Sequence, residues 1–350
     1  MVRSTKPVLP ARQAEPSRGR LPVARPRLEI IERKDDVLKP SGLACMGRSY
    51  DTTINVTQGC AHRCVYCYAR GYRHYPGDDR VLLYGNLVEK LRAELLRKRR
   101  LPQTVYFSSS CDAFAPYRQV QRTTYEAMQL LLEHGIRISL ATKGYIFRRF
   151  YYLFRQQPEM VHAQIGLSTL NPKIARWLEP LAASPKRRLR NIERLLSIGA
   201  DVTVRVDPMV PYVTDTPEQL TDLCRQLAGM GVKNLSASYL FIRPSILRHF
   251  ASELPGATLR RRLWEVYYAG VTVPLHGDGC PIRLPAPKYR MSGYERFGRI
   301  CSRFGLTLRL CSCKNTDLDL ADKCNLVVDP GAARRPVRLR DEHQLPLFEK

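Results

Sequence analysis

The chain has 350 residues, enough for one large core or two modest ones, and a formal net charge of +25 that favours polyanionic partners, nucleic acid before anionic membrane. No run of 18 or more apolar residues is present, and the basic N-terminus lacks a continuous apolar stretch, which excludes a membrane span and a secretory signal. Eleven cysteines without such a signal point to the cytoplasm and to metal or redox use, not to disulfides.

Residues 1–44 are rich in Pro and Arg and low in apolar residues, the composition of a disordered basic arm able to lie along phosphates. From residue 50 strand and helix patterns alternate. TTINV (52–56) reads as the first strand, and Asn86 is placed to cap a helix through LVEKLRAELLRKR. TVYF (104–107) is a second strand, and VQRTTYEAMQLLLEHG a helix closed by Gly135. RISLA (137–141), AQIGLS (163–168), DVTVRVD (201–207) and NLSASYLF (234–241) are further strands, each separated from the next by a helical pattern. Six βα units in series predict a parallel sheet with right-handed crossovers, either a doubly wound sheet or a partial barrel. No Gly-rich phosphate fingerprint follows the first strand, which weakens a dinucleotide fold. Cysteines in the first βα loop suit a site at a barrel's C-terminal mouth.

Those cysteines are Cys60, Cys64 and Cys67 in the stretch NVTQGCAHRCVYCYARGY, a C-x₃-C-x₂-C loop with Tyr66 and Tyr68 beside the third thiol. Structural zinc normally takes four protein ligands, whereas a [4Fe–4S] cluster held by three cysteines leaves one iron open. Polar residues recur past successive strands: Ser108, Ser109, Ser110, Cys111 and Asp112; then Thr142, Lys143 and Gly144; then Ser168 and Thr169; then Arg205 and Asp207. Each type alone is a common loop former or cap. In order at successive strand ends they describe one site.

The C-x₃-C-x-Y-C-Y motif resembles the signature of the radical SAM superfamily. With D-x-F-x-P, TK, LEP and R-x-D-P-x-x-P downstream, the chain is similar to the spore photoproduct lyase-like group over roughly residues 50–245. The resemblance implies a (β/α)₆ partial TIM barrel in residues 45–255 and a [4Fe–4S] cluster on Cys60, Cys64 and Cys67. It also implies S-adenosylmethionine as co-substrate, reductively cleaved to a 5′-deoxyadenosyl radical, with a flavodoxin- or ferredoxin-like electron donor. The cofactor-binding set is then Tyr66, Tyr68, Ser110, Lys143, Ser168 and Arg205, with Lys143 on the cofactor carboxylate, and the catalytic candidates are Cys111 and Asp112. The group's hydrogen-donating cysteine aligns with Ser109, which separates this chain from the thymine-dimer reaction.

Residues 256–329 form a cysteine-bearing C-terminal extension, with a helix YRMSGYERFGRICSRFG and a strand LTLRL before Cys311, Cys313 and Cys324. This C-x-C-x₁₀-C set is a candidate second iron–sulfur site, with zinc or plain packing as the other readings. Residues 330–350 form a flexible tail in which Gln344, Leu345, Pro346, Leu347 and Phe348 resemble the short peptide that binds the bacterial sliding clamp. The sequence thus predicts a radical SAM enzyme acting on nucleic acid. A protein or small-metabolite substrate, or a zinc-stabilised nucleic-acid binding protein without catalysis, are the alternatives.

Overall fold

The computed structural model describes residues 23–40, 51–275 and 279–320. Cys324, the peptide at 344–348 and the rest of the tail lie outside the described residues. The strands that build the barrel are β1 (Asp51–Ile54), β2 (Thr104–Phe107), β3 (Arg137–Thr142), β4 (Val161–Gly166), β5 (Asp201–Met209), β6 (Asn234–Tyr239) and β7 (Thr307–Leu310). They lie in one sheet in sequence order and pair parallel throughout. A two-residue strand, Lys39–Pro40, closes the β1 edge in antiparallel pairing. The helices in chain order are α1 (Leu87–Arg97), α2 (Arg118–Glu133), α3 (Arg148–Arg155), α4 (Pro172–Leu178), α5 (Pro185–Ser197), α6 (Pro217–Gly229), α7 (Leu247–Glu253), α8 (Ala257–Tyr268) and α9 (Pro287–Arg303). This is the partial-barrel architecture that the resemblance implied and that the βα rhythm left open beside a doubly wound sheet. No helix among the described residues is long and apolar enough to cross a membrane.

Alternation along β5 shows how the sheet sorts its two faces. Val202, Val204 and Val206 are buried in the cluster that contains Leu195 of α5 and Leu223 of α6. Thr203, Arg205 and Asp207 take the other, partly open face, toward the barrel interior. Helix α5 shows the matching asymmetry, with Ile192 and Leu195 fully buried and Arg187 and Arg190 exposed.

Three expectations need correction. Residues 27–40, assigned from composition to a disordered arm, contain the strand Arg27–Ile31, which pairs parallel with Arg80–Tyr84, and the edge strand Lys39–Pro40. Val37 and Leu38 are buried in the core and Leu28 packs against it, burial that the surrounding prolines and arginines obscured. The Glu94 carboxylate accepts the Val37 and Leu38 amides at 2.8 and 3.2 Å. Asn86 does not cap α1 through its side chain. Its amide instead bonds both backbone groups of Arg33, at 2.8 and 3.2 Å, and so fastens that N-terminal segment. Finally, the parallel sheet has one strand more than the six βα units expected: within the extension, α9 leads into β7, which pairs parallel with β6.

Candidate functional site

The first strand ends at Ile54, two residues earlier than its sequence pattern, because Asn55 turns its side chain across the barrel mouth. Its Nδ2 donates to Ser109 Oγ at 2.9 Å, and its Oδ1 accepts from the Ser110 amide at 3.0 Å and the Cys111 thiol at 3.4 Å. One asparagine therefore holds the whole Ser109–Cys111 turn beyond β2. Ser108 makes that turn possible with φ of 74°, a conformation rarely adopted by a residue with a side chain, and its hydroxyl accepts from the Ala113 amide at 2.8 Å.

The cysteine loop follows. Gly59 has φ of 75°, and a Cβ there would sit 2.7 Å from Pro76 Cγ, so only glycine brings Cys60 into place. Cys60, Cys64 and Cys67 lie close enough to influence one another's charge. Burial, then Asp112 and the other two thiols, push Cys60 well up. Cys64 is pushed up to about 12 by burial and then Glu179, against the pull of Lys143. Thiolates that are costly when bare are stabilised by a bound metal, which displaces their protons.

Two buried carboxylates brace this loop. His62, inside it, places Nδ1 3.3 Å from Asp112 Oδ2. Asp112 also accepts the Thr142 hydroxyl at 2.8 Å, the Lys143 amide at 2.9 Å and the Phe114 amide at 2.9 Å. Burial pushes its carboxyl up, but His62 and these donors outweigh that and hold it below the usual carboxylate range. Asp112, a catalytic candidate from sequence, thus ties the cysteine loop to the Lys143 turn. The second brace is Glu179, which accepts the Tyr66 hydroxyl and pairs with Arg188; the two side chains are 3% and 2% exposed. Arg188 also donates to Ala183 O at 2.7 Å and Gly166 O at 2.9 Å. Despite burial, Arg188 and Lys143 hold the Glu179 carboxyl below its ordinary range.

Lys143 emerges between these braces. Its ammonium lies 5.9 Å from the Tyr66 ring centre. Gly166, at the end of β4, leaves the space for its stem, since a Cβ there would approach Lys143 Cγ to 2.9 Å. Arg205 sits beside Gly166 in register and donates to Gln164 at 2.7 Å and Asp207 at 2.6 Å. Tyr68 donates to Ser109 O and stands within 5.6 Å of the Arg243 guanidinium. The Ser168 hydroxyl, 5% exposed, is buried with no hydrogen-bond partner among the described residues, as is that of Ser236 on β6. A buried hydroxyl without a partner costs free energy unless a ligand completes it.

These features fit an iron–sulfur cluster with a polar co-substrate. Three thiols on one loop offer the donor set, Lys143 offers an ammonium, Ser168 and Ser236 offer hydroxyls unpaired among the described residues, and aromatic Tyr66 and Tyr68 flank the third thiol. Cys311 and Cys313 are buried beside the end of β7, around a 3₁₀ turn Ser312–Lys314, and their third predicted companion, Cys324, lies outside the described residues. His62, Asn55, Arg188 and Lys314 were not selected from sequence. His62 stood between two of the cysteines and Lys314 directly after Cys313, whereas Arg188 was one arginine of several in α5.

Comparison with known proteins bears on the family and the fold. The profile of the Radical SAM superfamily matches residues 54–227. The uncharacterized protein Rv2578c of Mycobacterium tuberculosis is 30% identical over 262 residues, covering 70% of this chain and 76% of that protein. The radical SAM Nα-GlyT isomerase of Pseudomonas phage M6 is 26% identical, covering 72% and 51%. Among solved structures, a spore photoproduct lyase mutant superimposes with a TM-score of 0.61 at 16% identity, covering 81% of this chain and 82% of that one. The lyase complexed with dinucleoside spore photoproduct gives 0.60 at 14%, covering 81% and 82%. The barrel of this chain has the spore photoproduct lyase type of fold, and the chain belongs to the radical SAM superfamily of enzymes.

Proposed function

We propose that this enzyme acts on nucleic acid, in repair or modification, with a [4Fe–4S] cluster on Cys60, Cys64 and Cys67. The observation that carries the chemistry is that the His62–Asp112 and Tyr66–Glu179 braces hold the loop bearing Cys60, Cys64 and Cys67 against the Lys143 turn. When bound, the cluster and S-adenosylmethionine supply one-electron reductive cleavage of the sulfonium. The chain's own residues orient that co-substrate and exclude water. Lys143 would hold its carboxylate, Ser168 its ribose or amino end, and Tyr66, Tyr68, Ser110 and Arg205 would line the rest. Asp112 acts by positioning the cysteine loop and the Lys143 amide.

A nucleic-acid substrate is supported by the net charge of +25 and by the dinucleoside bound to the structurally similar lyase. In the sequence resemblance the lyase group's hydrogen-donating cysteine aligns with Ser109, and a serine O–H is too strong to yield hydrogen readily to a carbon radical. Cys111, anchored to the same Asn55, is the adjacent thiol and the candidate donor here. An electron donor of the flavodoxin or ferredoxin type would feed the cluster. A second cluster on Cys311, Cys313 and Cys324 would double the iron content after reconstitution, and mutation of Cys313 would halve it.

The deciding experiment supplies reconstituted enzyme with reductant, S-adenosylmethionine and DNA, RNA, peptide or metabolite pools. Turnover of 5′-deoxyadenosine stimulated by DNA or RNA, with a mass change in the nucleic acid, supports the reading. Stimulation by peptides or metabolites alone would overturn the substrate assignment and leave the chemistry.

A further inference from the structure

Outside the barrel mouth, α3 and α5 present a face on which arginines lie against tyrosines. Helix α5 carries Lys186, Arg187, Arg188, Arg190 and Arg194 against one acidic residue, Glu193. Arg188 is buried in the brace already described, while Arg187, Arg190 and Arg194 recur at a spacing that puts them on one outer stripe. The Arg187 guanidinium lies 5.5 Å from the Tyr145 ring centre and that of Arg194 5.5 Å from Tyr151. Arg194 Nη1 also donates to the Tyr145 hydroxyl at 3.0 Å. On α3, Arg148 lies 5.4 Å from the ring centre of Tyr152, itself 44% exposed. None of Arg148, Arg187 and Arg194 makes an ion pair with a carboxylate among the described residues.

The placement of this face relative to the active site is fixed. Tyr145 stands two residues beyond Lys143, and the buried Asn191 of α5 clamps the intervening turn. Its Nδ2 donates to Gly144 O at 2.9 Å, and its Oδ1 accepts the Ile146 amide at 3.2 Å. The arginine–tyrosine stripe therefore begins at the turn that presents Lys143 and runs outward over α5 and α3.

We infer that this face is the track for a single nucleic-acid strand leading to the barrel mouth, with Arg148, Arg187 and Arg194 on phosphates and Tyr152 and Tyr145 offering rings to bases. The inference rests on the nucleic-acid reading above and specifies where that partner lies. A cation held on a tyrosine face keeps its charge and loses little freedom on meeting a phosphate, and exposed rings accept stacked bases without regard to sequence. An apolar protein partner would leave three unpaired guanidinium groups buried, so charge complementarity favours the polyanion.

The test uses the full-length, cluster-reconstituted chain and a fluorescein-labelled thymidine 20-mer over a range of salt concentrations. Arg187→Ala with Arg194→Ala should weaken binding at least tenfold and reduce the slope of log affinity against log salt by about 1.4, at about 0.7 per strand phosphate released. Because Arg194 also packs on Tyr151, a separate Arg148→Ala variant and Tyr152→Ala are measured alongside, with thermal unfolding as the check on folding. Tyr152→Ala should weaken binding at least fivefold with the salt slope kept, and Tyr152→Phe should restore it. Wild-type binding with all variants unchanged in affinity and slope overturns this surface alone. No wild-type binding to the 20-mer or to an RNA 20-mer overturns the substrate reading with it. Capture by phosphatidylserine vesicles in preference to either strand would assign the face to lipid and overturn the inference.

Discussion

The ammonium of Lys314 contacts both carboxylate oxygens of Asp207, at 2.7 and 2.6 Å, across 107 residues of chain. Asp207 lies at the mouth end of β5, and Lys314 closes the 3₁₀ turn that carries Cys313. The extension is therefore fastened to the barrel interior by charge as well as by the parallel pairing of β7 with β6. Arg290, fully buried in α9, reinforces it by donating to Asn315 at 2.7 Å and pairing with Asp317.

Removing the ammonium should loosen that attachment. Lys314→Ala leaves a carboxylate that is 12% exposed with Arg205 as its remaining ion-pair partner and Lys143 farther off, and the expected cost is about 3 kcal/mol or less, below the range for a fully buried pair. Burial pushes Asp207 up, but Lys314, Arg205 and Lys143 together hold it far below its ordinary value. A depressed carboxyl contributes stability above the unfolded value of about 4, and that contribution is lost as pH falls through the folded value. Wild-type protein should thus lose more stability between about pH 5 and pH 2 than Lys314→Ala does. Denaturant unfolding across that range measures the difference, and parallel pH curves for the two proteins would refute the coupling.

The space at Gly166 predicts a change in binding without loss of the fold. Gly166→Ala places a methyl 2.9 Å from Lys143 Cγ and 3.2 Å from its Nζ, so the flexible stem moves and the strand does not. Stability should change by less than about 1 kcal/mol, as for a substitution that a side chain can relax around. The KM for S-adenosylmethionine should rise, with kcat/KM falling by up to about 100-fold, as small misplacements do. Lys143→Met should reproduce the KM effect. An unaltered KM in both would remove Lys143 from the co-substrate site.

Breaking the Glu179–Arg188 pair should be more damaging. Glu179→Gln leaves a guanidinium that is 2% exposed without its counter-charge, at a cost of about 3–5 kcal/mol. Tyr66→Phe removes only the hydroxyl of the same network and should cost about 1 kcal/mol. Thermal unfolding of the two variants tests the order, and equal losses would contradict it.

Asp112→Asn tests positioning against proton transfer. The asparagine retains an acceptor for part of the Thr142 and Lys143 set but weakens the tie to His62. Iron uptake and co-substrate binding should both decline, and the pH profile of kcat should keep its shape. A lost limb in that profile would mean that Asp112 transfers a proton.

What could be read from the sequence follows from how local each feature is. Strands β2 to β6 and the cysteine loop are written in contiguous periodicity and spacing, so they appear within a residue or two of expectation. Residues 27–40 were hidden because Val37 and Leu38 are buried only in the assembled core and the backbone finds its partners in Glu94 and Arg80–Tyr84, far along the chain. Asn86 carried a cap's identity but spends its side chain on Arg33. Arg188 and Lys314 look like any other basic residue of a chain with 57 of them, and only the fold selects their partners. The orphaned hydroxyl of Ser168 likewise gains its meaning from burial, not from its neighbours in sequence.

The most direct test of the central claim is anaerobic iron–sulfur reconstitution followed by dithionite and S-adenosylmethionine, with 5′-deoxyadenosine measured chromatographically beside Cys64→Ala. A brown protein that forms 5′-deoxyadenosine, and a variant that forms none, is the predicted result. A colourless protein that takes up zinc and yields no product, or product formed equally without Cys64, would contradict the account.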